Sequence, residues 1–390
     1  MKILIYVWSL CNGGAERVAS LWAQGFAQKG YDVNVMLASF QKGNDYEMQD
    51  NVKIVRQSFL YDLLQKILPS KVKEKFFSSR YCDYIYNALP EFVKNWFTSK
   101  VLKQISPDVI IVVLPGLFNR IHGALKKINV KIPIIVTDHN SYERPESAPF
   151  SKVEYNRKFT ECEKYDYLTV LTAADRKILE MKLGESFMKK VSVLPNPLTF
   201  KPVKCNPLKE KVILAAGRLN MWHCKGFDIL LKAWSEIYTK FPDWKLKIAG
   251  RGNNSYLLKL CDELGIKNNV EFLGFVNLED EYKKAEIFVL SSRYEGFGMV
   301  LTEAMSQGCA CIACDYKGRQ SEIISCKEEG LLCPPDDIDA LKNAICTVVT
   351  DENYRHTMQK KAVERSKYYE LPNIINHWEK IFHKIGLNGV

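Results

Sequence analysis

No stretch of this chain approaches the roughly 20 continuous apolar residues that a membrane-spanning helix needs, and the strongest run, VIIVVLPGLF from Val109, reads as a buried strand. The N-terminal MKILIYVWSL has a lysine and a short apolar core but no small-residue cleavage site before Gly13 and Gly14. It is expected to be a first β-strand, and the chain to stay in the cytoplasm. Also missing is the G-x-G-x-x-G pattern of dinucleotide folds, which counts against NAD or FAD. The net charge is +10, yet no nucleic-acid-binding motif accompanies it, so phosphorylated ligands or an anionic membrane surface suit it better than nucleic acid. Twelve cysteines are present, but Cys309, Cys311 and Cys314 alternate along the apolar run CACIAC without the spacing of a paired C-x2-C zinc site. Small buried hydrophobes in a reducing compartment are expected there. No D-x-D pair stands at a strand end, and Asp336-Asp337 follow two prolines in a turn. No metal is therefore expected.

What is present is a strand and helix rhythm over 390 residues, too many for one ordinary core and suited to two α/β domains. Apolar strands are expected at residues 2–7, 31–39, 51–57, and within SPDVIIVVL, KIPIIVTD, YLTVL and VSVLP of the first half. In the second half they are expected within KVILAAG, KLKIAG, VEFLGFV, AEIFVLSS and CACIAC. Pro195, Pro197, Pro202 and Pro207 mark an extended connection, which sets a first domain at 1–203 and a second at 204–366. A last helical stretch, 367–390, is expected to cross back through Ile374, Ile375, Trp378, Ile381 and Phe382.

Residues 59–105 break the rhythm with aromatics among eight basic and four acidic residues, a balance of +4. Two readings stand: a membrane-surface element, or core aromatics under a solvated basic face.

The stretch with most chemistry is EGFGMVLTE, Glu295 to Glu303, where the strand AEIFVLSS gives way to a helix. Gly296 and Gly298 let the backbone turn tightly and approach a ligand. The helix then begins near Gly298, and the free amides of its first turn, among Gly298, Met299, Val300 and Leu301, can hold a diphosphate. Upstream, Gly217 ends a strand, and Arg218 and Lys225 follow in a loop from which both cations can converge on one diphosphate, Arg as a fork of donors and Lys as a point charge. Further strand-to-loop ends lie at Gly250 and Val276. In the first half, Gly13-Gly14 with Glu16 and Arg17, and His139 with Asn140 and Arg144, follow strands at the ends where open α/β sheets bind ligands.

Glu295, seven intervening residues and Glu303 resemble the E-x7-E signature of retaining family-4 glycosyltransferases. G-R-L followed by K-G, GG-x-E-R at Gly13 and the T-x-H-N-x-Y segment around His139 resemble further segments of that family, so that the likeness covers most of the chain. It implies the GT-B fold, two Rossmann-like domains facing a central cleft. It further implies transfer of a hexose or N-acetylhexosamine from a UDP-sugar to a lipid-linked or polysaccharide acceptor, at the inner membrane face and without a metal cofactor. In such enzymes the first glutamate meets the sugar and the second the ribose, which assigns those roles to Glu295 and Glu303. Arg218, Lys225 and the Gly298 amides would stabilise the leaving diphosphate, Gly14, Gly217, Gly250 and the Val276 backbone would line the donor, and His139 would act near the sugar. Gly13, Glu16, Arg17, Asn140 and Arg144 would fall on the acceptor side. A GT-B epimerase would need added acid and base groups in the first domain. A silent sugar-nucleotide-binding module would lose a cation or a glutamate, and all four are present.

Overall fold

The computed structural model describes residues 1–11, 13–39, 46, 48–56, 69–70, 90–143, 159–204 and 208–387; Arg144 and most of the basic aromatic segment lie outside them. The first half is a sheet of seven parallel strands: β1 (Lys2–Val7), β2 (Asp32–Leu37), β3 (Val52–Arg56), β4 (Val109–Val113), β5 (Ile134–Asp138), β6 (Tyr167–Val170) and β7 (Val191–Val193). Their spatial order is β3-β2-β1-β4-β5-β6-β7. The second sheet contains β8 (Glu210–Ala216), β9 (Lys245–Ala249), β10 (Val270–Gly274), β11 (Ala285–Leu290), β12 (Ala310–Cys314) and β13 (Leu331–Cys333), in the order β10-β9-β8-β11-β12-β13. Renumbered from its own start, the second order repeats the first up to its sixth strand. Both are doubly wound, with the strand order reversing beside β1 and beside β8, and ligands of such sheets bind beyond the strand carboxyl ends at that reversal. The two Rossmann-like halves make this a GT-B fold.

Parallel strands covered on both faces must be apolar along their whole length, which is why VIIVV and ACIAC carry no alternation. Cys309, Cys311 and Cys314 are 0–1% exposed there, and burial pushes each thiol pKa up. Two apolar clusters flank each sheet. One of those on the first sheet holds Trp22 and Phe26 of helix α1 (Gly14–Gln28) together with Ile374, Ile375, Trp378 and Phe382. A Cβ on Gly25 would stand 2.6 Å from Ile375, so α1 admits that partner only where it has no side chain. Helix α2 (Glu91–Ile105) turns Lys94 inward and leaves Phe92 70% and Trp96 37% exposed, while Lys100 and Lys103 face water and Leu102 and Ile105 are buried. Further helices are α3 (Ala173–Leu183), α4 (Phe227–Ser235), α5 (Met299–Ser306), α6 (Ile338–Thr350) and α7 (Leu371–Lys384). Helix α7 carries the four aromatic and aliphatic residues that pack on α1.

Candidate active site

The loops after β8 and β11 meet at the second sheet's reversal point. Gly226 takes a left-handed φ of 62° as the N-cap of α4, and a Cβ there would lie 1.9 Å from the Ser291 carbonyl, so the Lys225 loop and the β11 exit touch through backbone alone. Ser291 Oγ returns a hydrogen bond to the Lys225 carbonyl at 2.9 Å. Lys225 Nζ then donates to Glu295 Oε1 at 2.5 Å, and Ser292 Oγ donates to the same oxygen at 2.9 Å. Arg218 is exposed. Burial raises the Cys224 thiol pKa and the Glu295 charge adds to the rise, while the charges of Lys225, Arg218 and Arg293 lower it. Gly217 and Gly250 form the floor, their amides bonded to the Ala249 and Gly274 carbonyls, with half-buried Val276 beyond.

Gly298, at φ 90°, caps the start of α5 without a side-chain hydrogen bond. The Leu301 amide, expected among the donor ligands, is bonded to the Gly298 carbonyl at 2.8 Å because the first turn tightens, and its side chain is fully buried. The earlier amides of Gly298, Met299 and Val300 make no such bond among the described residues and can face a ligand. Glu303 is 4% exposed and accepts hydrogen bonds from Thr199 Oγ1 at 2.7 Å and Tyr282 OH at 3.3 Å. Burial raises its pKa above the ordinary glutamate value, partly offset by Thr199 and by the charge of Arg17. Arg17 therefore lies near the second glutamate, although the resemblance placed it with the acceptor. Its guanidinium stands 5.5 Å from the Tyr46 ring centroid and 5.6 Å from that of Phe200.

The first half closes on this loop. A Cβ on Gly296 would sit 3.0 Å from the His139 carbonyl and 3.4 Å from the Ser141 amide, so the glutamate loop and the His139 loop pack backbone to backbone. One on Gly14 would meet Met299 at 3.7 Å, and the Glu16 carboxylate folds back over Gly13. The His139 ring lies 5.5 Å from Trp22, with Nε2 3.1 Å from Thr137 Oγ1 and the Asn196 side chain beside it. Burial lowers its pKa to about 4, so the imidazole is neutral at physiological pH. The exposed Asn140 donates its amide to Asp138 at 3.0 Å.

Sequence reasoning passed over Arg293, which ties the β11 exit to the loop that carries Lys225, its amide donating to the Cys224 carbonyl at 2.9 Å. Its guanidinium makes a bidentate pair with Asp228 at 2.7 and 2.8 Å, reaches the His223 carbonyl at 2.6 Å and pairs with Asp336. Asp336 is thus a structural partner, and Asp337 caps α6 by accepting from the Ala340 amide at 2.8 Å. A basic residue two positions before Glu295, with an aspartate three after Lys225, was the available signal. Nothing local foretold Thr199 and Tyr282, which reach Glu303 from distant positions.

Comparison with known proteins bears on the family and the fold. Residues 12–199 match the model described as Glycosyltransferase Family 4, and residues 199–365 that described as Glycosyl transferases group 1. The chain is 28% identical over 384 residues to an uncharacterized glycosyltransferase of Haemophilus influenzae, covering 97% of this chain and 99% of the relative. It is 29% identical over 395 residues, 99% of each, to the GalNAc-alpha-(1->4)-GalNAc-alpha-(1->3)-diNAcBac-PP-undecaprenol alpha-1,4-N-acetyl-D-galactosaminyltransferase of Campylobacter jejuni. Among solved structures, TarM superposes with a TM-score of 0.77 at 16% identity, covering 98% of each chain. The pneumococcal O-GlcNAc transferase GtfA, in complex with UDP and GlcNAc, does so at 0.73 and 15%, covering 99% of each. At such identities these two likenesses speak for the fold alone. The two family models between them span residues 12–365, and the chain is a glycosyltransferase of the GT-B architecture.

Proposed function

We propose that this enzyme transfers a hexose or N-acetylhexosamine, with retention, from a UDP-sugar to a lipid-linked or polysaccharide acceptor. The observation that carries the reading is the meeting at Gly296, next to the Lys225-paired Glu295, where the glutamate loop of one half packs against the His139 loop of the other. A sugar held there has a carboxylate and a cation on its donor side and a neutral imidazole loop on its far side. The acceptor class rests on relatives, since the Campylobacter jejuni enzyme and an amylovoran biosynthesis glycosyltransferase of Erwinia amylovora match nearly their whole length. The choice of UDP rests on the family resemblance of the Glu295 to Glu303 segment; GtfA and HepE of Anabaena, whose structures contain UDP, share the fold.

In this reading Arg218, Lys225 and the amides at the start of α5 take up the charge that develops on the diphosphate as the bond to the sugar breaks. Glu295 orients sugar hydroxyls and Glu303 accepts from the ribose. The acceptor hydroxyl forms its bond to the sugar carbon on the face the phosphate leaves, and its proton passes to the departing phosphate oxygen. With two cations and a helix start as counter-charge, the reaction proceeds without a metal. Incubation with a panel of sugar nucleotides, with nucleotide release as the readout, tests the assignment. Release from UDP-hexoses or UDP-N-acetylhexosamines that persists in EDTA is expected; release only with Mn2+, or from no UDP-sugar, would sink it.

Contact with an anionic membrane surface at the cytoplasmic face belongs to the same proposal. Among the described residues no helix is long and apolar enough to cross a membrane. Support comes from α2, where Phe92 and Trp96 are exposed and Lys100 Nζ lies 3.9 Å from the Trp96 ring centroid, an amphipathic edge suited to a headgroup layer. Flotation with anionic liposomes should weaken in a Phe92→Ser, Trp96→Ser variant and at high salt; equal flotation by variant and wild type would remove α2 as the contact.

A further inference from the structure

The loop that follows β12, Asp315 to Glu322, belongs to the donor half but is anchored in the acceptor half. Arg319, 0% exposed, donates from Nη2 to Asp175 Oδ1 at 2.7 Å. That carboxylate also accepts from the Tyr142 amide at 2.7 Å and from Ser141 Oγ at 3.3 Å, three and two residues after His139. Glu322 accepts from the Ala173 and Ala174 amides at 2.7 and 2.8 Å, so the first turn of α3 is capped by a carboxylate from the other half of the molecule. Tyr316 OH donates to the Glu143 carbonyl at 3.0 Å, and Lys317 pairs with the Glu143 carboxylate. On its inner side the same loop reaches the glutamate loop, Gln320 Nε2 donating to the Phe297 carbonyl at 3.4 Å.

We infer that Asp175 and Arg319, seconded by Glu322, are positioning residues that hold the His139 loop against the Glu295 loop and so set the catalytic closure of the cleft. Asp175 is the junction: one carboxylate fixes the backbone that presents His139 and, through Arg319, the loop that supports Phe297. Neither residue touches the reacting atoms in this arrangement. A loop displaced by one ångström costs turnover about 10²-fold while leaving nucleotide contacts of the donor half in place. The inference rests on the proposed donor site for its kinetic part and on the contacts alone for its conformational part.

The test uses the full chain with Arg319→Met, Arg319→Lys and Glu322→Gln, and the double variant Asp175→Asn, Arg319→Met in case an unpaired buried carboxylate prevents folding. UDP affinity, turnover and the radius of gyration in solution are measured for each. Arg319→Met, or the double variant, is expected to keep UDP affinity within about threefold, lose about 10²-fold in kcat and become less compact, with Arg319→Lys recovering part of both. Turnover within about threefold of wild type in a folded variant, or parallel loss of affinity and turnover at unchanged compactness, would overturn it. Should the wild type bind no UDP, the proposed function fails, and scattering alone then decides: compactness unchanged by Arg319→Met and by the double variant refutes the positioning role.

Discussion

Glu303 is a carboxylate held where charge is unfavourable. Because burial raises its folded-state pKa, the folded protein binds that proton more tightly than the unfolded chain does. The resulting stability is full below the free glutamate pKa and is lost as pH rises through the folded value, so at neutral pH the ionised group costs stability. Glu303→Gln should therefore melt at the same or a higher temperature at pH 7.5 and bind UDP about tenfold or more weakly, since a hydrogen bond to a charged group is worth about 1.5–3 kcal/mol. A variant that melts lower and binds equally well would contradict this. His139 has the opposite shift, to about 4, so the pH dependence of turnover should show no ionisation near 6.5 arising from it. A limb near 6.5 that disappears in His139→Gln would show that the imidazole titrates and would refute the neutral assignment.

At the scale of elements, the helix start at Gly298 was legible because glycine spacing and an apolar face leave few alternatives, and the structure begins α5 at the next residue. Doubly wound strands were legible for a similar reason, being unbroken apolar runs. What could not be read was which amides remain free: the tightening that engages Leu301 depends on the packing of the turn. The partners of Glu303 were equally hidden, since Thr199 and Tyr282 are brought to it by the inter-half connection and by the helix before β11. Gly226→Ala tests the loop contact directly. Its Cβ would collide with the Ser291 carbonyl, and displacement of Lys225 from Glu295 should cut turnover about 10²-fold in a folded protein. Normal turnover in that variant would mean the two loops are not rigidly joined.

For the whole molecule, the matching strand orders explain why donor and acceptor loops face each other, each set lying at a reversal of its own sheet. The sequence showed the two halves through their shared rhythm but not the contacts across them, which join residues such as Asp175 and Arg319 that are 144 positions apart. Removing one member leaves a buried charge without its counterpart. Asp175→Ala should accordingly cost about 3–5 kcal/mol in denaturant unfolding, whereas an exposed pair such as Lys53 and Asp32 should cost less than about 1 kcal/mol. Equal effects would remove the ion pair from the account of how the halves are held.

The most direct test of the site is calorimetric titration of UDP in EDTA into wild type, Arg218→Met, Glu295→Gln and Glu303→Gln. The account expects binding by wild type, weakening of about tenfold or more in Arg218→Met and Glu303→Gln, and unchanged or tighter binding in Glu295→Gln, where Lys225 is released from its partner. Absence of binding until a divalent metal is added, or equal weakening in both glutamate variants, would contradict a donor site built on two cations and two carboxylates with separate tasks.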